Sequence, residues 1–542
     1  MKKIQLLSTF LSKNQKILLL VLTCILGIFI LAPYANFQPI LAQGDHGRDL
    51  YAFRSTLEGS TPYEDYWWVY GPAMPYYYAS AYKILGISIQ SILIAKIFLI
   101  LIAGILFYLT ISLFASPMMA MAATVWFLAF RPEFFYTYNH TGAIPFFILT
   151  MFFIAHYIQS CQKKFIYATL LSISTIFLIK ANMGFFFLLS TLITFALTDY
   201  IKEKKIQNKK IYILSLLGIP ALAFLIYWLL TRNLPIYFIK QCFPYLPSYD
   251  PTHASIWMSL VKLWRVVLWN ITSWSLPNRI FAIIIFLCGF RSIQAMLKNS
   301  QENKTKEFFL FLISLILFIF FGLHEFFASA IVYRMRWVNP FQMLFIFLII
   351  EYAIKNLSKV IRFSIYIIFL IVALTSAVQQ HKIVALYKNN NHLLQINKTK
   401  VYIENPPSWI NTVTSSVDYL KKNVNKDETF LALPYDSLYY FLTNKKSPTR
   451  ELIFFDYINI PQEQERAIIS DLKENNAAYI VLSSRSDSKE AGLGTFGKTY
   501  CPVLKKYIDE NFTAVETFGN WGNEPGWAWY HAVKILKRKE NK

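Results

Sequence analysis

Charge is scarce in this chain. Only 15% of its 542 residues are Asp, Glu, Lys or Arg, while 55% are hydrophobic and 17% aromatic. That balance lies outside the range of ordinary soluble domains. Acidic residues are the scarcer sign, 31 against 53 basic, for a formal charge of +22. Such an excess invites a nucleic-acid partner. Cytoplasmic loops of membrane proteins carry surplus Lys and Arg anyway, so that reading is set aside. Cysteine is also sparse: Cys24, Cys161, Cys242, Cys288 and Cys501 have no metal-ligand spacing and give no disulfide framework. Only Cys242 and Cys501 are expected outside the membrane, enough for one bridge at most. No Gly-rich phosphate loop follows any candidate strand, which argues against a nucleotide site.

What is present is a series of long charge-free runs in the first 380 residues, with charge crowding into the remainder. Met1–Lys16 is basic and Ile17–Ala32 is apolar throughout. No small-residue cleavage site follows, so this stretch reads as an uncleaved first span and not as a signal peptide. Further spans are expected at Ile92–Phe114, Pro117–Phe130, Thr141–Tyr157, Phe165–Ile179, Gly184–Leu197, Ile211–Leu230, Ile280–Met296, Phe308–Leu323, Val338–Tyr352 and Phe363–Val378. Taken as one helix, Phe165–Thr198 would be roughly 50 Å long, against a hydrocarbon core of about 30 Å. It must break, and Lys180-Ala181-Asn182-Met183-Gly184 is the natural place.

With the N-terminus inside, the loops at Cys161–Lys164, Lys202–Lys210, Lys298–Lys306 and Lys355–Arg362 fall on the cytoplasmic side. All are basic, as the positive-inside rule requires. The expected fold is therefore a polytopic α-helical membrane protein of about eleven transmembrane helices. It comprises a membrane domain over 1–380, with an acidic first external loop at 35–91, and an extracytoplasmic α/β domain over 381–542. Helix-like stretches (Ser408–Val424, Gln462–Asn475, Pro502–Asn511) alternate there with β-rich runs (Thr429–Leu433, Leu452–Phe455, Ala478–Ser483, Ala514–Phe518, Trp529–Leu536). Within the long external connection Arg232–Asn278, Ile256–Trp274 mixes Trp with basic residues. That is the mark of a helix lying in the interface plane.

The first external loop sets Asp45, Asp49, Glu64 and Asp65 among aromatics and prolines. Carboxylates at a lipid–water boundary suit proton removal from a polar acceptor beside a lipid-borne group. The plainer readings are a helix N-cap or solvated turn for Asp45 and a turn residue for Asp65. On a helix, Asp49 lies one turn from Asp45 and could share its proton. Arg48 is placed to pair with either. Lys180 interrupts an apolar run, where an ionisable residue costs about 2.5–3.5 kcal/mol at mid-span and less near an end. Lys96 is expected to snorkel to the interface.

Asp45, Gly47, Tyr51-Ala52, Gly59, Pro62-Tyr63, Asp65, Pro72 and Pro75-Tyr76-Tyr77-Tyr78 together resemble the first external loop of the GT-C glycosyltransferase superfamily. Lys180-Ala181-Asn182-Met183-Gly184 is similar to a Lys-x-Asn-x-Gly element of related chains, and Tyr439–Thr443 resembles a segment of their external domain. One departure is Asp45-His46, where many relatives carry Asp-Glu. The resemblance implies transfer of a sugar from a polyprenyl-phosphate donor to an extracytoplasmic acceptor (glycolipid, polysaccharide or protein), with inversion. This would take place in a multi-pass protein of a bacterial inner or plasma membrane. In that scheme Asp45 is the general base, Asp49 tunes it and Asp65 orients the acceptor. Lys180, Arg131, Arg334 and Arg336 are the cations for the leaving phosphate. Tyr51, Tyr63, Asn182 and Glu133 are the candidates for contact with donor or acceptor. No cofactor is required. A divalent ion held by Asp45, His46, Glu133, His324 and Glu325 is a weaker alternative, since an Arg/Lys clamp does the same electrostatic work. A transporter or lipid flippase is the rival reading, resting on the helix break at Lys180. No internal repeat supports it.

Overall fold

A computed structural model describes residues 2–130, 138–231, 261, 303–329, 332–487, 493–522 and 529–539, and among these eight helices are long and apolar enough to cross a membrane. The chain enters through α1 (Lys2–Leu31). A short strand β1 (Phe37–Gln38) follows, then two helices of the first loop, α2 (Asp45–Leu57) and α3 (Ala73–Leu85). α4 (Ile89–Ile111) starts where the Ser88 side chain accepts the Ser91 N–H, an N-cap that satisfies one orphan donor. α5 (Pro117–Ala129) is capped likewise by Ser116 and opens on proline, whose missing N–H costs nothing in a first turn. α6 (Tyr138–Ser160), α7 (Lys163–Ile179), α8 (Ala181–Glu203) and α9 (Lys209–Thr231) continue the bundle. Further along the chain come α10 (Asn303–Gly322), the short α11 (His324–Ser329), a 3-10 helix at Val332–Val338, α12 (Asn339–Ile354) and α13 (Lys359–Tyr387).

The expected crossings map onto these helices with three qualifications. Pro117–Phe130 is α5, whose 13 residues extend about 20 Å, less than a full hydrocarbon thickness. Phe165–Ile179 is α7, of 17 residues. Ile280–Met296 lies outside the described residues, as does, apart from Val261, the interfacial helix at Ile256–Trp274. The long run does break at Lys180, which is extended (φ −152°, ψ 98°) and serves as both the end of α7 and the start of α8.

Beyond α13 a hairpin, β2 (Leu393–Ile396) and β3 (Thr399–Ile403), forms a three-stranded sheet with β1 in the order β1-β3-β2. Phe37 and Gln38 pair in parallel with Tyr402 and Ile403, so the first loop is stitched directly into the C-terminal region. The remaining elements are α14 (Pro407–Asn423), β4 (Thr429–Leu433), α15 (Leu438–Thr443), α16 (Gln462–Glu474), β5 (Ala477–Ser483), α17 (Pro502–Asn511), β6 (Phe512–Phe518) and β7 (Val533–Arg538). The sheet order is β4-β5-β7-β6, with β4 and β5 parallel and the other pairings antiparallel. Leu452–Phe455, expected as a strand, is buried but forms no ladder; the Phe454 N–H donates instead to the Pro434 carbonyl at 3.0 Å.

Strand alternation divides the core. Phe430 and Ala432 of β4 face α14 and α15, and belong to an apolar cluster continuous with the membrane bundle. Leu431 and Leu433 point the other way, against Ile468 and Leu472 of α16 and Leu504 and Ile508 of α17. This is the period-two pattern of a sheet covered on both faces. The C-terminal region is thereby packed onto the loop that carries Asp45.

Candidate active site

α2 is held from several sides before any chemistry is considered. Leu41 and Asn405 exchange two hydrogen bonds of 2.9 Å, and the Leu438 N–H donates to the Gln43 carbonyl at 3.1 Å. Gly47 lies against the Leu438 backbone, where any Cβ would collide. His46, next to Asp45, is buried, and its Nδ1 accepts the Ala42 N–H at 2.9 Å. The imidazole therefore helps to fix the entry into α2.

This clamp brings Asp45, Arg48 and Asp49 together. The Arg48 guanidinium donates to Asp49 Oδ1 from Nη2 at 2.6 Å and from Nε at 2.9 Å, and reaches Asp45 Oδ1 at 3.5 Å. Its Nη1 also donates to the Tyr435 hydroxyl at 2.8 Å, and that hydroxyl donates to Asp45 Oδ1 at 3.1 Å. Arg48 further lies over the rings of Tyr70 (4.9 Å) and Trp68 (5.5 Å). Asp49 is fully buried, and burial pushes its carboxyl up to about 6, with Arg48 pulling the other way. The Asp45 side chain keeps 26% of its surface open. Of the two carboxylates, only Asp45 faces solvent.

A second charged cluster stands beyond Tyr70. Gly71 donates its N–H to the Ile179 carbonyl at 3.0 Å and leaves no room for a Cβ against Leu178, so the loop sits on the end of α7. The Tyr70 ring meets His140 edge-on at 4.9 Å, and His140 Nε2 is 2.7 Å from Lys180 Nζ. Lys180 pairs with Glu325 at 2.6 Å and lies 4.9 Å from the Trp337 ring centroid. Asn182 donates to Glu325 at 2.6 Å, with His324 Nε2 at 3.0 Å. Arg334 is half-buried and within electrostatic range of this group. Lys180 and Arg334 against Glu325 leave one net positive charge.

Other expected site residues are placed differently. Asp65 is exposed and accepts the Thr61 N–H at 2.6 Å, holding its own turn. Tyr51 is buried under the C-terminal region, its hydroxyl accepting the Ser447 N–H at 3.0 Å. Tyr63 donates to the Tyr70 carbonyl, and its own carbonyl accepts Arg450 Nε at 2.8 Å. Arg336 is exposed. Arg131 and Glu133 lie outside the described residues. Lys96, expected to snorkel, is instead buried with its Nζ 5.4 Å from the Tyr138 ring centroid. Tyr138 also contacts His46, so Lys96 is a cation behind α2.

Tyr435, like His140, is a participant that sequence reading missed. It follows β4, one residue past Leu433-Pro434, at the carboxyl end of the parallel pair β4/β5, the edge where open α/β sheets present ligand-binding groups. Strand order could have suggested the edge, though not that it faces Asp45. Next to it, Asp436 accepts the Ser483 hydroxyl at 2.7 Å and lies 3.9 Å from His531. Burial pushes Asp436 up to about 6 and His531 down to about 3, so the imidazole is uncharged at neutral pH and the contact is not an ion pair.

A narrow cleft is lined by His140, Lys180, Met183, Trp337, Phe147 and Pro340 among others, and Asp45 is not in its wall. The two charged clusters are joined instead through Tyr70 and His140. Among the described residues, no three His, Cys, Asp or Glu side chains stand close enough to share a metal ion.

No protein-family model and no curated protein matches the chain. Solved structures do, and what they share with this chain is the fold. ArnT from Cupriavidus metallidurans bound to undecaprenyl phosphate superposes with a TM-score of 0.53, covering 96% of this chain and 98% of that one at 11% identity. The oligosaccharyltransferase of Archaeoglobus fulgidus in complex with Zn and sulfate gives 0.52, covering 94% and 73% at 11% identity. At such identity the likeness is one of fold. The protein described here is an integral membrane protein of that architecture.

Proposed function

We propose that this protein is an inverting glycosyltransferase that moves a sugar from a polyprenyl-phosphate donor to an extracytoplasmic acceptor. Asp45 accepts the proton of the acceptor hydroxyl, and the hydroxyl oxygen forms the new bond to the anomeric carbon. The bond from that carbon to the phosphate oxygen breaks, and polyprenyl phosphate leaves with the electron pair. Lys180 and Arg334 stabilise the charge that develops on it, and Asn182 orients the Lys180–Glu325 pair. Arg48 and Tyr435 hold the Asp45 carboxylate in place. Asp65, in its exposed turn, is left as a contact for the acceptor at most.

One observation carries the reading: the solvent-facing Asp45 carboxylate, fixed by Arg48 and Tyr435, stands across Tyr70 and His140 from the Lys180 cluster. The undecaprenyl phosphate of the similar ArnT structure agrees with a lipid-phosphate donor. The basic connections opposite the C-terminal domain support an extracytoplasmic site in a bacterial inner membrane. Two neighbouring cations and no metal are needed for the leaving group. A transporter would use charged residues near mid-span, whereas Lys180 stands at the bundle end beside the first loop.

The test is to supply purified protein with a panel of polyprenyl-phosphate sugars and measure release of the free carrier. Release by the natural chain, lost in Asp45→Asn protein that inserts and folds normally, is the expected outcome. Undiminished release by Asp45→Asn would remove Asp45 as the base.

A further inference from the structure

At the end of the bundle away from Asp45, the connections are crowded with basic residues. Lys163 and Lys164 open α7, Lys204, Lys205, Lys209 and Lys210 join α8 to α9, and Lys355, Lys359 and Arg362 join α12 to α13. Between the α4–α5 turn, the start of α10 and the α12–α13 connection lies an open recess of about 250 Å³. Its floor is aromatic: the Phe308 ring stacks on Tyr352 at 5.0 Å and meets Phe114 at 6.0 Å. Its rim is charged, with Lys355, Arg362 and Glu351.

The carboxylate on that rim is already engaged. Glu351 Oε1 accepts the Ser116 N–H at 3.0 Å and Arg362 Nη2 at 3.1 Å, and Oε2 accepts the Tyr366 hydroxyl at 2.7 Å. These bonds hold the guanidinium in place through Nη2 and Nε, while Nη1 donates to none of the described residues. Lys355 Nζ stands 3.7 Å from the Tyr352 ring centroid and forms no ion pair among the described residues. Two cations against one carboxylate leave a net positive charge over an aromatic floor, at the level where spans meet water. Basic pockets between spans of this kind suit anionic headgroups.

We propose that this recess binds the phosphodiester headgroup of an anionic phospholipid from the adjoining leaflet. Arg362 Nη1 and Lys355 Nζ take the phosphate oxygens, and the glycerol and first acyl carbons rest on Phe114, Phe308 and Tyr352. The proposal does not depend on sugar transfer.

It is tested by reconstituting the full chain in nanodiscs of equal parts phosphatidylglycerol and phosphatidylcholine and measuring retained lipid by native mass spectrometry. Preferential retention of phosphatidylglycerol is expected, weakened about fivefold by Lys355→Gln. Lys359→Gln, at an exposed position of the same connection outside the recess, should leave it unchanged, and Lys355→Arg should restore it. Free glycerol phosphate should not displace the lipid. Absence of any phosphatidylglycerol preference, equal weakening by both Gln variants, or displacement by free glycerol phosphate would each overturn the proposal.

Discussion

Replacing Tyr435 with Phe removes one oxygen and little else. The ring stays packed against Gly44 and Phe455, so the C-terminal region should remain docked. What disappears is the hydroxyl that accepts from Arg48 at 2.8 Å and donates to Asp45 at 3.1 Å. Without it, Asp45 loses its 3.1 Å bond, and the approach of Arg48 at 3.5 Å is too long to replace it as a strong bond. A hydrogen bond to a charged group contributes about 1.5–3 kcal/mol. If that difference falls on the transition state, kcat/KM drops by roughly 10- to 150-fold. The assay is carrier release from a polyprenyl-phosphate sugar, with thermal unfolding run in parallel to confirm an intact fold. A Tyr435→Phe protein that folds normally and retains kcat/KM within about twofold would refute the idea that the C-terminal region positions the base.

Three further outcomes are expected. Glu325→Gln leaves Lys180 buried without its carboxylate and should destabilise the protein by about 3–5 kcal/mol, with Lys180→Met added to it recovering most of the loss in denaturation measurements. Gly47→Ala pushes a methyl into the Leu438 backbone; an overpacking cost of about 1–3 kcal/mol and faster proteolysis between the bundle and the C-terminal region are expected. The Asp49 carboxyl, raised by burial from 3.8 to about 6, gives a pH signature of known sign. Between these values the native state keeps a proton that the unfolded chain has released, so stability falls as the pH rises through that window, by about 3 kcal/mol from this group. Asp49→Asn should remove that slope, read as the pH dependence of the difference in unfolding free energy between the two proteins.

The membrane architecture was legible because it rests on local chemistry. Apolar runs of span length, basic connections and one lysine inside a long hydrophobic stretch each follow from neighbouring residues, and the break at Lys180 appeared where length demanded one. The strands Thr429–Leu433 and Ala477–Ser483 were readable for the same reason, as apolar β-rich runs between turns. The closeness of Asp45, Arg48 and Asp49 also followed from their spacing on one helix. What sits around them did not. Tyr435 is separated from Asp45 by 390 positions, and only the docking of the sheet edge on α2 makes it a partner. Lys96 reads as an interfacial lysine from its flanks, yet packing against Tyr138 turns it inward. His140 carries no motif, and it becomes the link to Lys180 because the loop before α3 lies on the end of α7. Sequence fixes which segments enter the membrane, since transfer free energy is summed along the chain. The partners of each buried charge are settled by contacts between distant segments, and those exist only once the chain has folded.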